Sequence, residues 1–423
     1  MRHCDFGHGL VKRRWAFLFG LWLALATIVL GGSAGVVEAA TEIVLGDQQL
    51  GEYLPRLAGK RVALFCNHTA QVGNKHLLDV LLDEGIQVTG LFAPEHGIRG
   101  QVAAGKSITD QIDEATGIPI MSLYDGTIAT VRPSAETMDT FDVLLIDIQD
   151  VGLRYYTYYI TICDLLEVCS IYHKEVILLD RPNPNGHYVD GPILESRLKS
   201  PVSKLPIPTV HGMTLGELLR MAIGEDWLNL PHGLNFEVVP CLNYTHRTPY
   251  TPPVPPSPNL PNLKSIYLYP SLCPFEGTVI SVGRGTTMPF QCFGHPALKG
   301  KYRYSFTPQS MRAAPNPPFI DEICYGRDFG KIKESRLRNK GIDLSYVIDA
   351  YRVFEKKGLG DKFFKRVKLD GWGEFNYFDL LMGQVYVREG IMAGKSNAEI
   401  RALWKEDVKK FRRQRKPYLL YAE

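Results

Sequence analysis

One short segment, directly after an apolar run, combines an acid, an imidazole and a guanidinium. It reads Phe92-Ala-Pro-Glu-His-Gly-Ile-Arg-Gly100 and contains Glu95, His96 and Arg99. A carboxyl group beside hydrophobic walls has a raised pKa and can act as a general acid, although a nearby cation opposes that shift. Glu95 is therefore a candidate acid, with His96 and Arg99 as candidate ligand contacts. The alternative is a structural ion pair, because such networks also perturb acids.

A second polar segment follows the apolar run Val143 to Ile148 and leads into an aromatic-rich helix start. It contains Gln149, Asp150, Arg154 and Tyr155. Aromatic faces combined with amides and acids suit a sugar, whose C–H face stacks and whose hydroxyl groups need hydrogen-bond partners. Asp150 equally fits a carboxylate that satisfies backbone donors at a helix start, which is the commoner role of an acid there.

Further candidates follow other strands or lie among glycines. Each is weak evidence alone, because Gly and Pro more often mark turns than sites. Glu276 and Arg284 lie among glycines that let the backbone approach a ligand. Taken together, these clusters exceed what folding alone would require. The remaining candidate contacts are Asn67, Arg181, Asn183 and His211.

Several other chemistries lack their motifs. The sequence has no G-x-G-x-x-G after a strand and no G-x-x-x-x-G-K-[ST], so a phosphate cradle for dinucleotides or triphosphates is missing. It also has no G-x-S-x-G elbow of an α/β serine hydrolase. A metal site built from His68, His96, Asp147 or Asp150 is conceivable, but the spacing matches no standard motif. We therefore predict no cofactor and no metal.

The elements that position these residues alternate between strands and helices, which is typical of βαβ units. We predict an α/β fold with a Rossmann-like, doubly wound, mostly parallel sheet. Ligands of such sheets bind beyond the carboxyl ends of the strands, where the candidates lie. The predicted strands are Arg61 to Cys66, Gln87 to Phe92, Ile120 to Leu123, Val143 to Ile148, Glu175 to Leu179 and Phe236 to Val239. The predicted helices are His76 to Glu84, Ile160 to Tyr172, Thr214 to Ile223, Ser345 to Lys356 and Asn397 to Arg412.

The 423 residues allow more than one packed unit. A basic start, an apolar run from Trp15 to Leu30 and small residues up to Ala39 predict a signal peptide at residues 1–39. An uncleaved membrane anchor is the alternative, but the run is shorter than the roughly 20 residues of a spanning helix. We expect a periplasmic or secreted protein without stable membrane insertion after cleavage. We predict three parts after the signal peptide. They are a Rossmann-like α/β domain at 40–247, a proline-rich interdomain arm at 248–262 and a smaller C-terminal α+β domain at 263–423.

The charge and the cysteine content exclude some classes of protein. The formal net charge is only +3, and the C-terminal basic cluster has the helical spacing of a solvated face, so nucleic acid is not implied. Of eight cysteines, Cys4 lies in the predicted signal peptide, and the seven that remain include no C-x-x-C. Neither a dense disulfide framework nor a zinc knuckle is therefore expected.

These motifs together resemble one known family, the peptidoglycan exo-β-N-acetylmuramidases, long catalogued only as a domain of unknown function. The similar segments run in order through nearly all of the chain after residue 39. They are Phe92 to Gly100, Asp147-Ile-Gln-Asp-Val-Gly-Leu-Arg-Tyr155, Asp180-Arg-Pro-Asn-Pro184, His211-Gly-Met-Thr-Leu-Gly-Glu217, Pro256-Ser-Pro-Asn-Leu-Pro261, Phe275-Glu-Gly277 and Ser281-Val-Gly-Arg-Gly-Thr286. One departure is the region Phe378-Asp-Leu-Leu-Met-Gly383, which leaves the substrate subsite there open.

The resemblance implies an active site in the cleft between the two domains and release of single N-acetylmuramic acid units from non-reducing ends of peptidoglycan fragments. Glu95 falls in the acidic motif and is the expected general acid. Glycosidic hydrolysis usually takes a second carboxylate, for which Asp150 and Glu276 are candidates, or the substrate's own 2-acetamido group participates. Arg154, Arg181 or Arg284 would hold the lactyl carboxylate. The rival functions are a non-catalytic muropeptide-binding protein and a metal-dependent cell-wall amidase or deacetylase.

Overall fold

The structure is a computed structural model of the chain, and it describes residues 42–94, 97–98, 111–123, 132–369 and 371–423. The predicted signal peptide and three predicted site residues, Glu95, His96 and Arg99, lie outside the described residues. Residues 43–423 belong to one compact unit. In the part of the chain that is described, no helix is long and apolar enough to cross a membrane.

The strands and helices alternate through the first part of the chain, as predicted. The strands, in chain order, are β1 Arg61–Cys66, β2 Gln71–Val72, β3 Lys75–His76, β4 Gln87–Ala93, β5 Gln111–Ile112, β6 Pro119–Ser122, β7 Val143–Asp147, β8 Glu175–Leu179, β9 Asp190–Ile193, β10 Pro208–Val210, β11 Phe236–Val239, β12 Cys292–His295, β13 Tyr304–Phe306, β14 Cys324–Asp328, β15 Arg366–Leu369 and β16 Gly373–Asn376. The helices are α1 Leu50–Leu57, α2 Leu77–Asp83, α3 Ala135–Met138, α4 Tyr158–Ile171, α5 Leu215–Gly224, α6 Leu263–Leu272, α7 Glu334–Arg338, α8 Ser345–Lys356, α9 Tyr377–Met382, α10 Val385–Met392, α11 Asn397–Ala402 and α12 Lys405–Gln414.

The central sheet has the strand order β11-β8-β7-β1-β4-β6-β5. The pairings from β11 to β6 are parallel, and only the edge strand β5 is antiparallel to its neighbour. In β7, Leu144 and Ile146 pack into the core on one face, while Val143 and Leu145 pack into a second core on the other. Because both faces are buried, β7 is a continuous apolar run. The predicted Rossmann-like, doubly wound sheet is confirmed.

We call residues 43–247 the sheet region and residues 263–423 the C-terminal region. The C-terminal region contains a three-stranded antiparallel sheet with the order β12-β14-β13 and a hairpin of β15 and β16. Helices α6 to α12 surround these strands. This is the smaller α+β part that the sequence predicts.

The proline-rich arm at residues 248–262 connects the two regions and contacts the sheet region along its length. The carbonyl oxygen of Pro255 lies 2.9 Å from Nε2 of His68, and that of Pro256 accepts a hydrogen bond of 2.8 Å from the hydroxyl of Tyr156. Leu260 is buried in the main core. Since His68 follows β1 and Tyr156 precedes α4, the arm lies beside the carboxyl ends of the central strands.

The seven cysteines of the described residues are buried, and none of these seven forms a disulfide. Cys66, at the end of β1, lies in an apolar cluster of the sheet region. Here it packs as a small hydrophobic side chain, which is a common role of a buried free cysteine.

Candidate active site

The sheet region and the C-terminal region together line a pocket of about 220 Å³. The sheet region contributes the loop after β7 and the start of α4. The C-terminal region contributes α6, the 3₁₀ turn Cys273–Gly277, the glycine-rich loop after that turn and the start of α9. The aromatic lining residues are Tyr155, Tyr156, Tyr158, Tyr269, Phe290 and Tyr377.

Hydrogen bonds between the two regions fix the aromatic walls. The hydroxyl of Tyr155 donates to the carbonyl oxygens of Tyr269, at 3.2 Å, and Pro270, at 3.0 Å, both on α6. The ring of Tyr269 packs edge-on against Tyr155 and against Phe290, with ring centroids 5.4 and 4.8 Å apart. Such edge-to-face pairs are a favoured aromatic geometry. The positions of the aromatic side chains in the pocket therefore depend on contacts between the two regions.

Glu276 and Arg284 bring charge into this pocket. Nε of Arg284 donates to Oε1 of Glu276 at 2.7 Å, and the guanidinium lies 5.2 Å from the centroid of the Phe290 ring. Burial lowers the pKa of Arg284, but the carboxylate of Glu276 outweighs it and the net pKa is raised. Both side chains keep about a quarter of their surface exposed. They form an ion pair that a ligand in the pocket can reach.

Asp150 lies just beyond the carboxyl end of β7 but is not among the described residues that line this pocket. Its Oδ1 accepts a hydrogen bond of 2.6 Å from the backbone N–H of Gly152. Its Oδ2 is buried and has no hydrogen-bond partner among the described residues. Burial raises the pKa of Asp150 from 3.8 to about 7, against the opposing effect of the Gly152 N–H. Of the two candidate second carboxylates, only Glu276 lines the pocket.

Two of the predicted contacts, Asn67 and Gln149, use their side-chain amides to hydrogen-bond loops of the protein. Nδ2 of Asn67, after β1, donates to the hydroxyl of Tyr158 at 3.2 Å, and Tyr158 lines the pocket. Nε2 of Gln149 donates to the carbonyl oxygen of Pro182 at 2.9 Å, and Oε1 accepts from the hydroxyl of Tyr250 at 3.0 Å. Both amides are buried: Asn67 orients a tyrosine of the pocket, whereas Gln149 joins the loop after β8 to the arm.

Arg154 is fully buried and donates to backbone carbonyl oxygens. Its Nη1 donates to Pro192 at 2.6 Å and to Ile207 at 2.7 Å, and its Nη2 donates to Leu381 at 3.1 Å. Burial lowers the pKa of this guanidinium to about 10. These contacts tie the sheet region to α9 and place Arg154 inside the protein.

Arg181 is also enclosed, between two acids. Nε donates to Oδ1 of Asp147 at 2.5 Å, and Nη2 donates to Oδ2 of Asp47 at 2.6 Å. Burial and the neighbouring Asp147 raise the pKa of Asp47 to about 7, while Arg181 opposes this shift. Of the three arginines predicted to hold a substrate carboxylate, the structure brings only Arg284 to the pocket.

The two remaining predicted contacts are buried in the sheet region. Nδ2 of Asn183 donates to the carbonyl oxygen of Met213 at 2.8 Å, and a Cβ on Gly152 would lie only 2.1 Å from that nitrogen. Gly152 has a φ of +77° and must be glycine for both reasons. Nδ1 of His211 accepts from the backbone N–H of Met213 at 3.2 Å, and burial lowers its pKa to about 3. Neither side chain is among the described residues that line the pocket.

Two family profiles match the chain, one after the other. The profile described as "Exo-beta-N-acetylmuramidase NamZ, N-terminal" matches residues 62–264. The profile described as "Exo-beta-N-acetylmuramidase NamZ, C-terminal" matches residues 267–421. The chain belongs to the NamZ family. This confirms the family that the sequence motifs predict, and the pocket is lined by residues from both matched segments.

The NamZ family includes a curated relative from Bacillus subtilis (strain 168) named "Peptidoglycan beta-N-acetylmuramidase NamZ". It is 33% identical over 393 residues, covering 89% of this chain and 90% of the relative. Two solved structures of DUF1343 family proteins from Bacteroides fragilis NCTC 9343 are also similar. One has a TM-score of 0.81 at 50% identity, covering 90% of this chain and 100% of that one. The other has a TM-score of 0.75 at 28% identity, covering 90% and 99%.

The pocket also contains residues that the sequence motifs do not reveal. Tyr269 lies in the apolar run of α6, where an aromatic residue is more often part of the core. Tyr377 begins α9 and lines the pocket beside Glu276. No local signal in the sequence marks Tyr269 or Tyr377 as a pocket residue. Within the described residues, no group of three His, Cys, Asp or Glu side chains is arranged to hold a metal ion.

Proposed function

We propose that this protein is an exo-acting glycoside hydrolase that releases N-acetylmuramic acid from the non-reducing ends of peptidoglycan fragments. The observation that carries the proposal is that the two matched family segments together line one pocket. The Bacillus subtilis relative is named for β-N-acetylmuramidase activity on peptidoglycan. Aromatic rings and a charged pair in a pocket of this size suit one acidic sugar unit.

Glu95 is the proposed general acid. The strand β4 ends two residues before it and pairs in parallel with β1, with Phe92 opposite Phe65. Parallel neighbours end at the same edge of a sheet, and Asn67, just after β1, is hydrogen-bonded to Tyr158 of the pocket. The strand β4 therefore ends at the edge of the sheet that adjoins the pocket, two residues before Glu95 in the sequence. The acid would protonate the glycosidic oxygen as the bond to N-acetylmuramic acid breaks.

Glu276 is the proposed second carboxylate. It lies in the pocket, and the hydrogen bond from Arg284 fixes its orientation. In that place it would activate a water molecule, attack the anomeric carbon, or orient the 2-acetamido group of the substrate. Asp150 is the weaker candidate, because it is buried and is not among the described residues that line the pocket.

Turnover of a chromogenic β-N-acetylmuramide tests these roles. We expect Glu95→Gln and Glu276→Gln each to lower kcat by about 10²- to 10⁴-fold, the usual contribution of a positioned acid or base. Glu374→Gln is the matched control, because Glu374 is an exposed residue of the β15–β16 hairpin. Its kcat should equal that of the wild type.

The outcome also separates the rival functions. Tight binding of N-acetylmuramic acid without turnover in the wild type would indicate a muropeptide-binding protein. Loss of activity with a chelator, together with a deacetylated or amide-cleaved product in mass spectrometry, would indicate a metal-dependent amidase or deacetylase. Full activity of Glu95→Gln would remove Glu95 from the mechanism and leave the glycosidase assignment standing.

We also propose that the protein acts in the periplasm or outside the cell, as a substrate in the cell wall requires. The support is the basic and apolar N-terminal segment that ends at Ala39. N-terminal sequencing of the protein from cell fractions tests this. A mature start at Ala40 in the exported fraction is expected, and an intact Met1 in the cytoplasmic fraction would contradict it.

A further inference from the structure

A second pocket, of about 280 Å³, adjoins the first one within the C-terminal region. The two pockets share the lining residues Glu276, Arg284 and Tyr377. The second pocket adds Lys365, which directly precedes β15. A ligand that reaches past the Glu276–Arg284 pair therefore meets another cation.

The backbone holds Lys365 between two elements that line the first pocket. Its N–H donates to the carbonyl oxygen of Gly277 at 3.0 Å, and its carbonyl oxygen accepts from the N–H of Tyr377 at 2.9 Å. Gly277 ends the 3₁₀ turn that carries Glu276, and Tyr377 begins α9. The position of Lys365 is thus fixed relative to the pocket, unlike that of a typical surface lysine.

Among the described residues, no carboxylate is in direct contact with the ammonium group of Lys365. Nζ donates to the backbone carbonyl oxygen of Glu276 at 3.4 Å, and Lys365 forms no salt bridge within the described residues. Burial lowers the pKa of Lys365, and the charge of Glu276 only partly opposes this. A half-buried cation without an anionic partner is unfavourable, so an anion brought by a ligand would stabilise it.

The charges around the shared wall are unequal in number. Among the described residues that line the two pockets, Glu276 balances Arg284, and Lys365 leaves an excess of one positive charge. One carboxylate on the ligand matches this excess. Because Arg154 and Arg181 are buried away from the pocket, they do not compete for that carboxylate.

We infer that Lys365 binds the lactyl carboxylate of the N-acetylmuramoyl group and so selects this acidic sugar over neutral N-acetylhexosamines. This assignment rests on the proposed function and names the specificity residue of the same site. A site that holds a charged group rejects the analogue without it, because its own buried charge is then left unpaired.

Calorimetric titration with two sugars tests the role of Lys365 independently of turnover. N-acetylmuramic acid carries the lactyl carboxylate, and N-acetylglucosamine lacks it. We expect Lys365→Met to weaken binding of N-acetylmuramic acid by about 10- to 100-fold, the range for a hydrogen bond to a charged group. Binding of N-acetylglucosamine should change little. Lys365→Arg, which keeps the charge, should recover most of the affinity.

Kinetics with a chromogenic β-N-acetylmuramide give the matching result in turnover. Lys365→Met should raise KM and leave kcat nearly unchanged, because Lys365 holds a part of the substrate remote from the bond that breaks. Lys368→Met is the matched control: Lys368 is exposed on the same strand, β15, and is not among the described residues that line either pocket. Its KM should equal that of the wild type.

The two proposals fail in different ways. Binding without turnover in the wild type would contradict the hydrolase function, and the titrations would still test whether Lys365 binds the carboxylate. Turnover in the wild type with equal affinity of Lys365→Met for N-acetylmuramic acid overturns the role of Lys365 alone. Equal weakening for both sugars also overturns it, because Lys365 would then act on the shape of the pocket and not on the carboxylate.

Discussion

Asp150 has two carboxyl oxygens in very different surroundings. One accepts the backbone N–H of Gly152, and the other is buried with no hydrogen-bond partner among the described residues. Burial therefore raises the pKa of Asp150 to about 7, so the folded protein holds a proton there that the unfolded chain loses near pH 4. The contribution of Asp150 to the free energy of unfolding therefore falls as the pH rises from about 4 to about 7.

Asp150→Asn should remove the contribution of Asp150 to this pH dependence. The amide keeps the shape of the carboxyl group, and its oxygen can still accept the N–H of Gly152, but it cannot ionise. We expect the variant to gain about 3 kcal/mol in unfolding free energy relative to the wild type between pH 5 and pH 8, since the interval from pH 5 to the pKa spans two units of about 1.4 kcal/mol each. Urea unfolding at both pH values measures the difference.

Asp142→Asn is the control for this measurement. Asp142 is partly exposed, and its hydrogen bonds with Arg61 lower its pKa to about 2. It is therefore ionised in both the folded and unfolded states from pH 5 to pH 8. Any loss of stability in Asp142→Asn should be the same at both pH values. An identical pH dependence in the wild type and Asp150→Asn would contradict the assigned proton.

The candidate site was only partly predictable at the scale of single residues. Arg154, Arg181 and Arg284 all follow strands or lie among glycines, and local sequence does not separate them. Their roles depend on partners far away in the chain, such as Asp47 for Arg181. Lys365 has no motif at all, and only the meeting of two distant segments places it at a pocket. Residue type predicted the chemistry, but not which residue is exposed to a ligand.

Buried strands were the most predictable elements. The bounds of β1, β8 and β11 agree with the prediction, because strands of a parallel sheet are continuous apolar runs between polar turns. The helix predicted from Asn397 to Arg412 is instead two helices, α11 and α12. Between them, Nε1 of the buried Trp404 donates to Oδ1 of Asp190 at 2.9 Å. That contact is tertiary, so the helical periodicity could not reveal the break.

The start of α5 was predicted at Thr214 and is confirmed as a capping box. Oγ1 of Thr214 accepts the N–H of Glu217 at 3.3 Å, and Oε2 of Glu217 accepts the N–H of Thr214 at 2.9 Å. The same hydroxyl donates to Oδ2 of the buried Asp180 at 2.7 Å. One side chain therefore stabilises both the helix end and an acid that follows β8.

Thr214→Ala should lower the free energy of unfolding by about 2–3 kcal/mol, because it removes a cap and leaves Asp180 short of one donor. Ser396→Ala is the control, since Ser396 caps α11 at the surface in the same way but contacts no buried acid. Its loss should be about 1 kcal/mol or less. Equal losses in urea unfolding would show that the bond to Asp180 contributes nothing.

At the scale of the whole molecule, Arg154 links the two regions that build the pocket. Its guanidinium donates to the sheet region at Pro192 and Ile207 and to α9 at Leu381. Gly383, with a φ of +72°, ends α9 so close to this group that a Cβ would lie 2.5 Å from Nη2 of Arg154. The segment Asp147 to Tyr155 resembles a sugar site in the sequence. Its Arg154, however, joins the sheet region to the C-terminal region.

Arg154→Met separates a structural role from the substrate contact that the sequence predicts. Methionine fills much of the space but donates no hydrogen bond, so three buried carbonyl oxygens each lose one donor, although that of Ile207 keeps the N–H of Leu194. We expect the free energy of unfolding to fall by about 3 kcal/mol or more, measured by urea unfolding. The fraction that remains folded should keep the KM of the wild type for a chromogenic β-N-acetylmuramide. If Arg154 instead contacted the substrate carboxylate, the variant would have near-normal stability and a raised KM, as expected for Lys365→Met. Because both variants remove one cation from the same protein, comparing their stability and KM distinguishes a residue that joins the regions from one that binds the ligand.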